Sequence, residues 1–201
     1  MDVKRIYLAS ASPRRAALLA QIGVEFQVIA AEIGEDPLIG EPPEATVDRL
    51  ARAKAERVAQ QTAAAPLPVL AADTLVVMEG EVMGKPAGEN QALDMLARLS
   101  GQRHRVLTAV ALAWNGVTQT RLNVSEVRFR STTPQERQAY CLTGEPMGKA
   151  GAYAVQGMGA VFIERIEGSY SGVMGLPLLQ TAELLSATGQ PAWLIALSAQ
   201  Q

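Results

Sequence analysis

"RIYLASASPRRAALLAQIGVEFQVIA" (residues 5–30) decides the fold, because its hydrophobic period changes twice. RIYLAS reads as a strand, the segment from Ser12 to Gly23 as a helix, and VEFQVIA as a second strand. Ser12 is of the type that caps a helix N-terminus. Pro13 suits the first helical position, where its missing N–H goes unneeded, and Gly23 stands where a helix stops. A strand, a helix and a strand in succession are the repeating unit of an α/β protein.

The same stretch raises a chemical question. Arg14 and Arg15 fall in the first helical turn, at the positive end of the helix dipole, where cations are slightly unfavourable. Serine hydroxyls and free backbone N–H groups lie beside them. Two readings fit: solvated arginines on an ordinary surface helix, or a site that binds an anion such as phosphate.

Outward from there the alternation continues. Residues 32–44, EIGEDPLIGEPPE, are acidic and proline-rich and read as a loop. PEATVDRLARAKAERVAQQ (43–61) predicts a long amphipathic helix with Val47, Leu50, Ala51, Ala55 and Val58 on one side. VLAADTLVVMEGEVMGKP (69–86) predicts a buried strand, a turn at Glu79-Gly80 and a second strand. GENQALDMLARLSG (88–101) reads as a helix stopping before Gly101. Asn115-Gly116 between two strand-like runs is a strong hairpin signal. TTPQERQAYCLTG (132–144) reads as a short capped helix, AVFIERI (160–166) as a strand, LLQTAELLSATG (178–189) as a helix and PAWLIAL (191–197) as a last strand.

Composition bounds the function. The 201 residues suit one domain or a compact two-lobed unit, and 48% hydrophobic with 19% charged residues is ordinary globular composition. A formal charge of −2 gives no electrostatic reason to bind nucleic acid or an anionic membrane, and 4% aromatic residues offer few stacking platforms. Cys141 is the only cysteine, so no intramolecular disulfide is possible. MDVKRIYLAS lacks the apolar core of a signal peptide, and no stretch approaches the roughly 20 apolar residues of a membrane helix. A cytoplasmic protein is expected.

Several kinds of site are excluded. GEPMGKAG has the wrong spacing for a phosphate-binding loop, and alanine follows its lysine. GMGAVF lacks the third glycine of a dinucleotide fingerprint. His104 is the only histidine, so histidine-rich metal sites and Ser-His-Asp triads have no material; it reads as a satisfied structural or a surface histidine. Cys141 reads as a small core residue.

Carboxylates and cations remain. Asp73 and Thr74 follow the apolar run PVLAA, so a carboxylate is expected at the end of a buried strand, either as a turn residue or where α/β proteins collect ligands. Glu35 and Asp36 lie in the acidic loop. Lys54 sits in LARAKA, and Lys85 in MGKP and Lys149 in MGKAGAY stand beside glycines that let backbone approach a ligand closely. Together these groups suggest a polyphosphate site with a hard divalent cation, which needs no histidine.

With LASASPRRAALL, RLARAKA, VLAADTLVV, GKP, ARLSGQRHRVLTAVAL, GKAGAYAVQG and IEGSYSGVMGLPL in that order from about Tyr7 to about Leu185, the chain resembles the Maf nucleotide pyrophosphatases. The resemblance implies one domain over residues 1–201, related to the inosine-triphosphate pyrophosphatases. Its fold would be two lobes of a mixed sheet with flanking helices around a central cleft. It implies hydrolysis of a nucleoside triphosphate to the monophosphate and pyrophosphate with a divalent metal, Mg²⁺ first and Mn²⁺ or Co²⁺ as alternatives, by a homodimer.

Arg14 in SPRR, Thr74 in ADT and Gln156 in AYAVQG resemble the branch that handles dTTP and UTP, not the 7-methyl-GTP branch. A glutamine amide can match the carbonyl acceptors and single N–H of a uracil or thymine edge. By the same resemblance Ser10, Arg14 and Arg15 line the nucleotide site. Asp73 would be the general base, or would orient water through the metal, for attack at the α-phosphorus. Glu35 and Asp73 would hold the metal, with Asp36 the near neighbour of Glu35. Lys54, Lys85 and Lys149 would neutralise the triphosphate and the departing pyrophosphate. Two alternatives stand beside this: the same chemistry on 7-methyl-GTP or a broad range of bases, and a nucleotide-binding regulator of septum formation.

Overall fold

The structure is a computed structural model, which describes residues 5–36, 38–186 and 188. Residues 5–30 fold as their period predicts. β1 (Arg5–Leu8), α1 (Pro13–Gln21) and β2 (Glu25–Val28) make a strand–helix–strand unit in which β1 and β2 pair in parallel, Ile6 opposite Phe26. Ser12 occupies the N-cap and Pro13 the first helical position, but the Ser12 side chain makes no cap hydrogen bond. α2 (Pro43–Gln61) and β3 (Val69–Met78) follow, and β3 pairs in parallel with the other edge of β1.

β4 (Glu81–Met83) folds back on β3 through Glu79-Gly80. After α3 (Glu89–Leu99), β5 (Arg103–Trp114) and β6 (Val117–Phe129) flank Asn115-Gly116. Both two-residue turns have positive φ at each position, the geometry that matches strand twist and that Gly and Asn adopt most readily. α4 (Pro134–Leu142) carries a full capping box between Thr133 and Glu136. β7 (Ile163–Glu167) pairs antiparallel with β6. It begins later than AVFIERI predicts, because Met158–Phe162 form a 3-10 turn instead. α5 (Tyr170–Met174), which the sequence reading lacks, and α6 (Leu178–Ser186) complete the described elements; PAWLIAL lies outside the described residues.

The seven strands among the described residues make a mixed sheet, ordered β2-β1-β3-β5-β6-β7 with β4 on β3. The chain divides into two compact units. One holds the residues up to Asp73, Thr108–Asn123 and those from Gly175 onward; the other holds Thr74–Leu107 and Val124–Met174. In the first unit, α2 buries Val47, Leu50, Ala51, Ala55 and Val58, the face its periodicity predicts. Each large apolar side chain so buried contributes about 1.5–3 kcal/mol, which leaves a margin for burying one charged residue on the same stripe. That residue is Lys54.

The core of the second unit is built on Met95, Leu96 and Leu99 of α3, with Phe129, Tyr140, Tyr153 and Phe162. His104 is buried there, its Nε2 2.8 Å from the Tyr153 hydroxyl and its ring edge-on to Phe129. It is therefore a structural histidine. Among the described residues its Nδ1 has no hydrogen-bond partner, so it is only half satisfied. Cys141 is buried in α4, a core residue as expected.

Candidate active site

Lys54 organises the first unit. It is the one charged residue on the buried face of α2, and its ammonium lies 2.6 Å from Asp73 Oδ1 and 2.5 Å from Glu35 Oε1. The sequence left open which face of its helix Lys54 would take. Its position three residues past Ala51 and four past Leu50 settles that, since those spacings share a helical face. A lysine buried without partners would be costly, and two carboxylates on one ammonium remove that cost.

Asp73 requires a correction. It does not stand at the end of a strand: β3 continues through Thr74 to Met78, and Asp73 is an interior residue of it. The strand is buried from Val69 to Asp73 and half-exposed at Thr74 and Leu75 before it is buried again. The carboxylate thus sits where the covering of the strand opens. Thr74, the next residue, points to the opposite face by strand alternation.

Glu35 comes from the acidic loop, and that loop is pinned from α2. Arg49 makes a bidentate pair with Glu41, both contacts at 2.7 Å, and donates to the Asp36 backbone carbonyl at 3.3 Å. Thr46 Oγ1 adds a bond to Glu41 at 2.9 Å. The Arg49 bond, followed by those from Thr46 and the Leu38 N–H, holds the Glu41 carboxyl down at about 2. Neither Arg49 nor Glu41 was among the residues the sequence singled out. The available signal was an arginine next to the apolar stripe of a helix that follows an acidic loop.

Ser10 and Arg15 join at the junction of β1 and α1. Buried Ser10 Oγ accepts from the Ser12 N–H and from Arg15 Nη1, both at 3.2 Å, and Arg15 Nε donates to the Gly175 carbonyl at 2.8 Å. Burial lowers the pKa of Arg15; the charge of Asp73 opposes this, that of Arg14 adds to it and that of Glu35 opposes it. Burial lowers Arg14 as well. A buried Arg15 in the field of Asp73 and Glu35, with a partly desolvated Arg14 beside it at the helix N-terminus, is a stronger signal for an anion site than solvated surface arginines would be.

The second unit holds the other residues. Lys85 is exposed in the loop after β4, and the neighbouring Gly84 carbonyl accepts from the Gly151 N–H at 3.1 Å, so the Lys85 and Lys149 loops adjoin. Lys149 Nζ donates to the backbone carbonyl of Glu145 at 2.6 Å, which ties down its own loop. Gln156 is exposed in a turn.

Among the described residues no group of three histidine, cysteine, aspartate or glutamate side chains could hold a metal. Two hard oxygen donors do converge: Glu35 and Asp73 meet on one cation, the Lys54 ammonium. That pair fits a Mg²⁺-like ion whose remaining ligands are phosphate oxygens and water, and it does not fit a dedicated protein cage.

The model of the Maf family, described as Maf-like protein, matches residues 5–188. The dTTP/UTP pyrophosphatase of Aromatoleum aromaticum is 50% identical, over 93% of this chain and 97% of its own length. Those of Methylobacillus flagellatus and Nitrosomonas europaea are 49% and 48% identical, covering 94% and 92% of this chain and 95% and 94% of their own. Among solved structures, the Staphylococcus aureus Ham1 protein is 18% identical with a TM-score of 0.44, over 63% of this chain and 72% of its own.

Proposed function

The chain belongs to the Maf family, and from that premise we propose that it hydrolyses dTTP and UTP to the monophosphate and pyrophosphate. The observation that carries the reading is the buried Lys54 bridging Asp73 and Glu35. A carboxylate held in place by a buried ammonium, beside a buried arginine and a partly desolvated one, suits polyphosphate chemistry.

In this reading Arg14 and Arg15 bind phosphate oxygens, with Ser10 fixing the Arg15 guanidinium. Asp73 takes a proton from the water that attacks the α-phosphorus. The new bond joins water oxygen to the α-phosphorus, the bond to the α,β-bridging oxygen breaks, and pyrophosphate leaves. Lys54 holds Asp73 and Glu35 in register. Glu35 and Asp73 would hold a divalent cation, which when bound supplies charge neutralisation at the phosphate oxygens. Lys85 and Lys149 supply positive charge for the departing pyrophosphate, while Thr74 and Gln156 select the base. The same reading makes the enzyme a cytoplasmic homodimer; no described helix is long and apolar enough to cross a membrane.

Pyrophosphate release from dTTP, UTP, CTP, GTP and 7-methyl-GTP, each with Mg²⁺ and with chelator, tests the reading. Metal-dependent release concentrated on dTTP and UTP is expected. Preference for 7-methyl-GTP would overturn the base assignment, and silence on all five would overturn the enzyme.

A further inference from the structure

Gln156 sits in a turn that one tyrosine–carboxylate pair holds at both ends. The Gly157 N–H donates to the Ala154 carbonyl at 3.2 Å, which closes the turn with Gln156 at its third position. Before the turn, the Ala154 N–H donates to Tyr140 Oη at 3.2 Å. After it, the Met158 N–H donates to Glu145 Oε2 at 2.9 Å and the Gly159 N–H to Glu145 Oε1 at 3.0 Å. Tyr140 Oη itself donates to Glu145 Oε1 at 2.7 Å, which joins the two anchors.

The surroundings hold the pair rigid. Tyr140 is buried and packs edge-on against Phe162, with ring centroids 5.2 Å apart. Lys149 fixes the backbone of Glu145 from the other side. A Cβ at Gly157 would stand 2.3 Å from Glu145 Oε2, so the carboxylate reaches these N–H groups only because residue 157 has no side chain. Burial pulls the Glu145 carboxyl up, but the Gly159 N–H, the Tyr140 hydroxyl and the Met158 N–H outweigh it and hold the group below its ordinary range.

We propose that Glu145, acting with Tyr140, is a positioning residue for base selection: it fixes the turn from which Gln156 presents its amide to the pyrimidine edge. The inference rests on the reading that Gln156 pairs the base. A primary amide discriminates only if its carbonyl and NH₂ are held to within about 0.5 Å of the matching groups. Without Glu145 the turn keeps its single internal bond and the Tyr140 contact, and Gln156 meets a cytosine edge nearly as well as a thymine edge. The loss therefore falls on KM and on the choice of base, and not on the chemistry at the α-phosphorus.

The test is kcat and KM for dTTP and dCTP in Gln156→Ala, Glu145→Ala, Glu145→Gln, Tyr140→Phe and the double variant Gln156→Ala/Glu145→Ala, with thermal unfolding of each. Gln156→Ala is expected to cut the dTTP-to-dCTP ratio of kcat/KM about tenfold, the value of one well-made hydrogen bond. Glu145→Ala should cut it by a similar factor while kcat on dTTP stays within about threefold. Glu145→Gln, which keeps one acceptor oxygen, should fall between, and the double variant should lose no more than either single one. Should Glu145→Ala fail to fold, Glu145→Gln and Tyr140→Phe decide. A ratio unchanged in both of those while Gln156→Ala collapses it overturns the positioning role. A ratio unchanged in Gln156→Ala overturns the reading beneath it, and the inference with it.

Discussion

Lys54 Nζ lies 2.6 Å from Asp73 Oδ1 with the two side chains only 9% and 10% exposed, and the same ammonium reaches Glu35. Lys54 and Asp73 are thus desolvated together inside one unit of the chain, and half-exposed Glu35 reaches the same ammonium from its loop. Removing one partner of a buried pair strands the other, at a cost of about 3–5 kcal/mol. Lys54→Met is predicted to lose stability of that order in urea denaturation. Lys54→Met/Asp73→Asn should recover most of it without recovering turnover. A Lys54→Met protein as stable as the parent would show that the pair does not hold the site.

Asp73→Asn keeps the shape of the side chain and removes its capacity to take a proton. Turnover of dTTP should fall by about 10²–10⁴-fold, the usual share of a general base. Binding of dTTP, followed by equilibrium titration, should change by only a few fold. Survival of turnover within a few fold would remove Asp73 from the base role.

Arg49 and Glu41 make a different kind of contribution. Their bidentate pair fixes the loop that carries Glu35, and Arg49 also lies in the field of Asp73. Arg49→Ala should lower kcat/KM about tenfold, the scale of a misplaced catalytic group's neighbour. Because Glu41 titrates at about 2 in the folded chain, below its ordinary 4.5, the pair's contribution is complete above pH 4.5 and is lost only as pH falls toward 2. The ratio of variant to parent activity should therefore be flat from pH 5 to pH 9, as a pH–rate profile would show.

His104 should make the fold sensitive to mild acid. Burial depresses its pKa from 6.5 to about 4, so the unfolded chain binds the proton first as pH falls. Stability is full above about pH 6.5 and is lost progressively down to about pH 4, by up to about 3 kcal/mol. Urea midpoints of the parent should fall across that window. His104→Gln, which cannot titrate, should lose the part of the slope that His104 supplies. Parallel slopes would mean that His104 is not the group responsible.

Local rules made most of the fold legible. The bounds of α2 follow from its proline start and its apolar stripe, both tight turns from Glu79-Gly80 and Asn115-Gly116, and α4 from its capping box. Asp73 was misplaced because an apolar run followed by aspartate looks like a strand end, whereas here the strand carries the charge through its middle on the strength of Lys54. The Lys54 partnership depends on two contacts that each span 19 residues, which periodicity cannot report. Arg49 and Glu41 pair between a helix and an irregular loop, a contact that has no repeating period either. The Tyr140–Glu145 pair lay hidden in a glycine-rich segment whose turns have no repeating period to read.

Attack by water at the α-phosphorus of a pyrimidine triphosphate leaves its mark in the products, and isotope labelling reads it. Hydrolysis of dTTP in H₂¹⁸O with Mg²⁺, followed by mass analysis of both products, should place one ¹⁸O in dTMP and none in pyrophosphate. Label in pyrophosphate would mean attack at the β-phosphorus and would contradict the account of Asp73 and its neighbours.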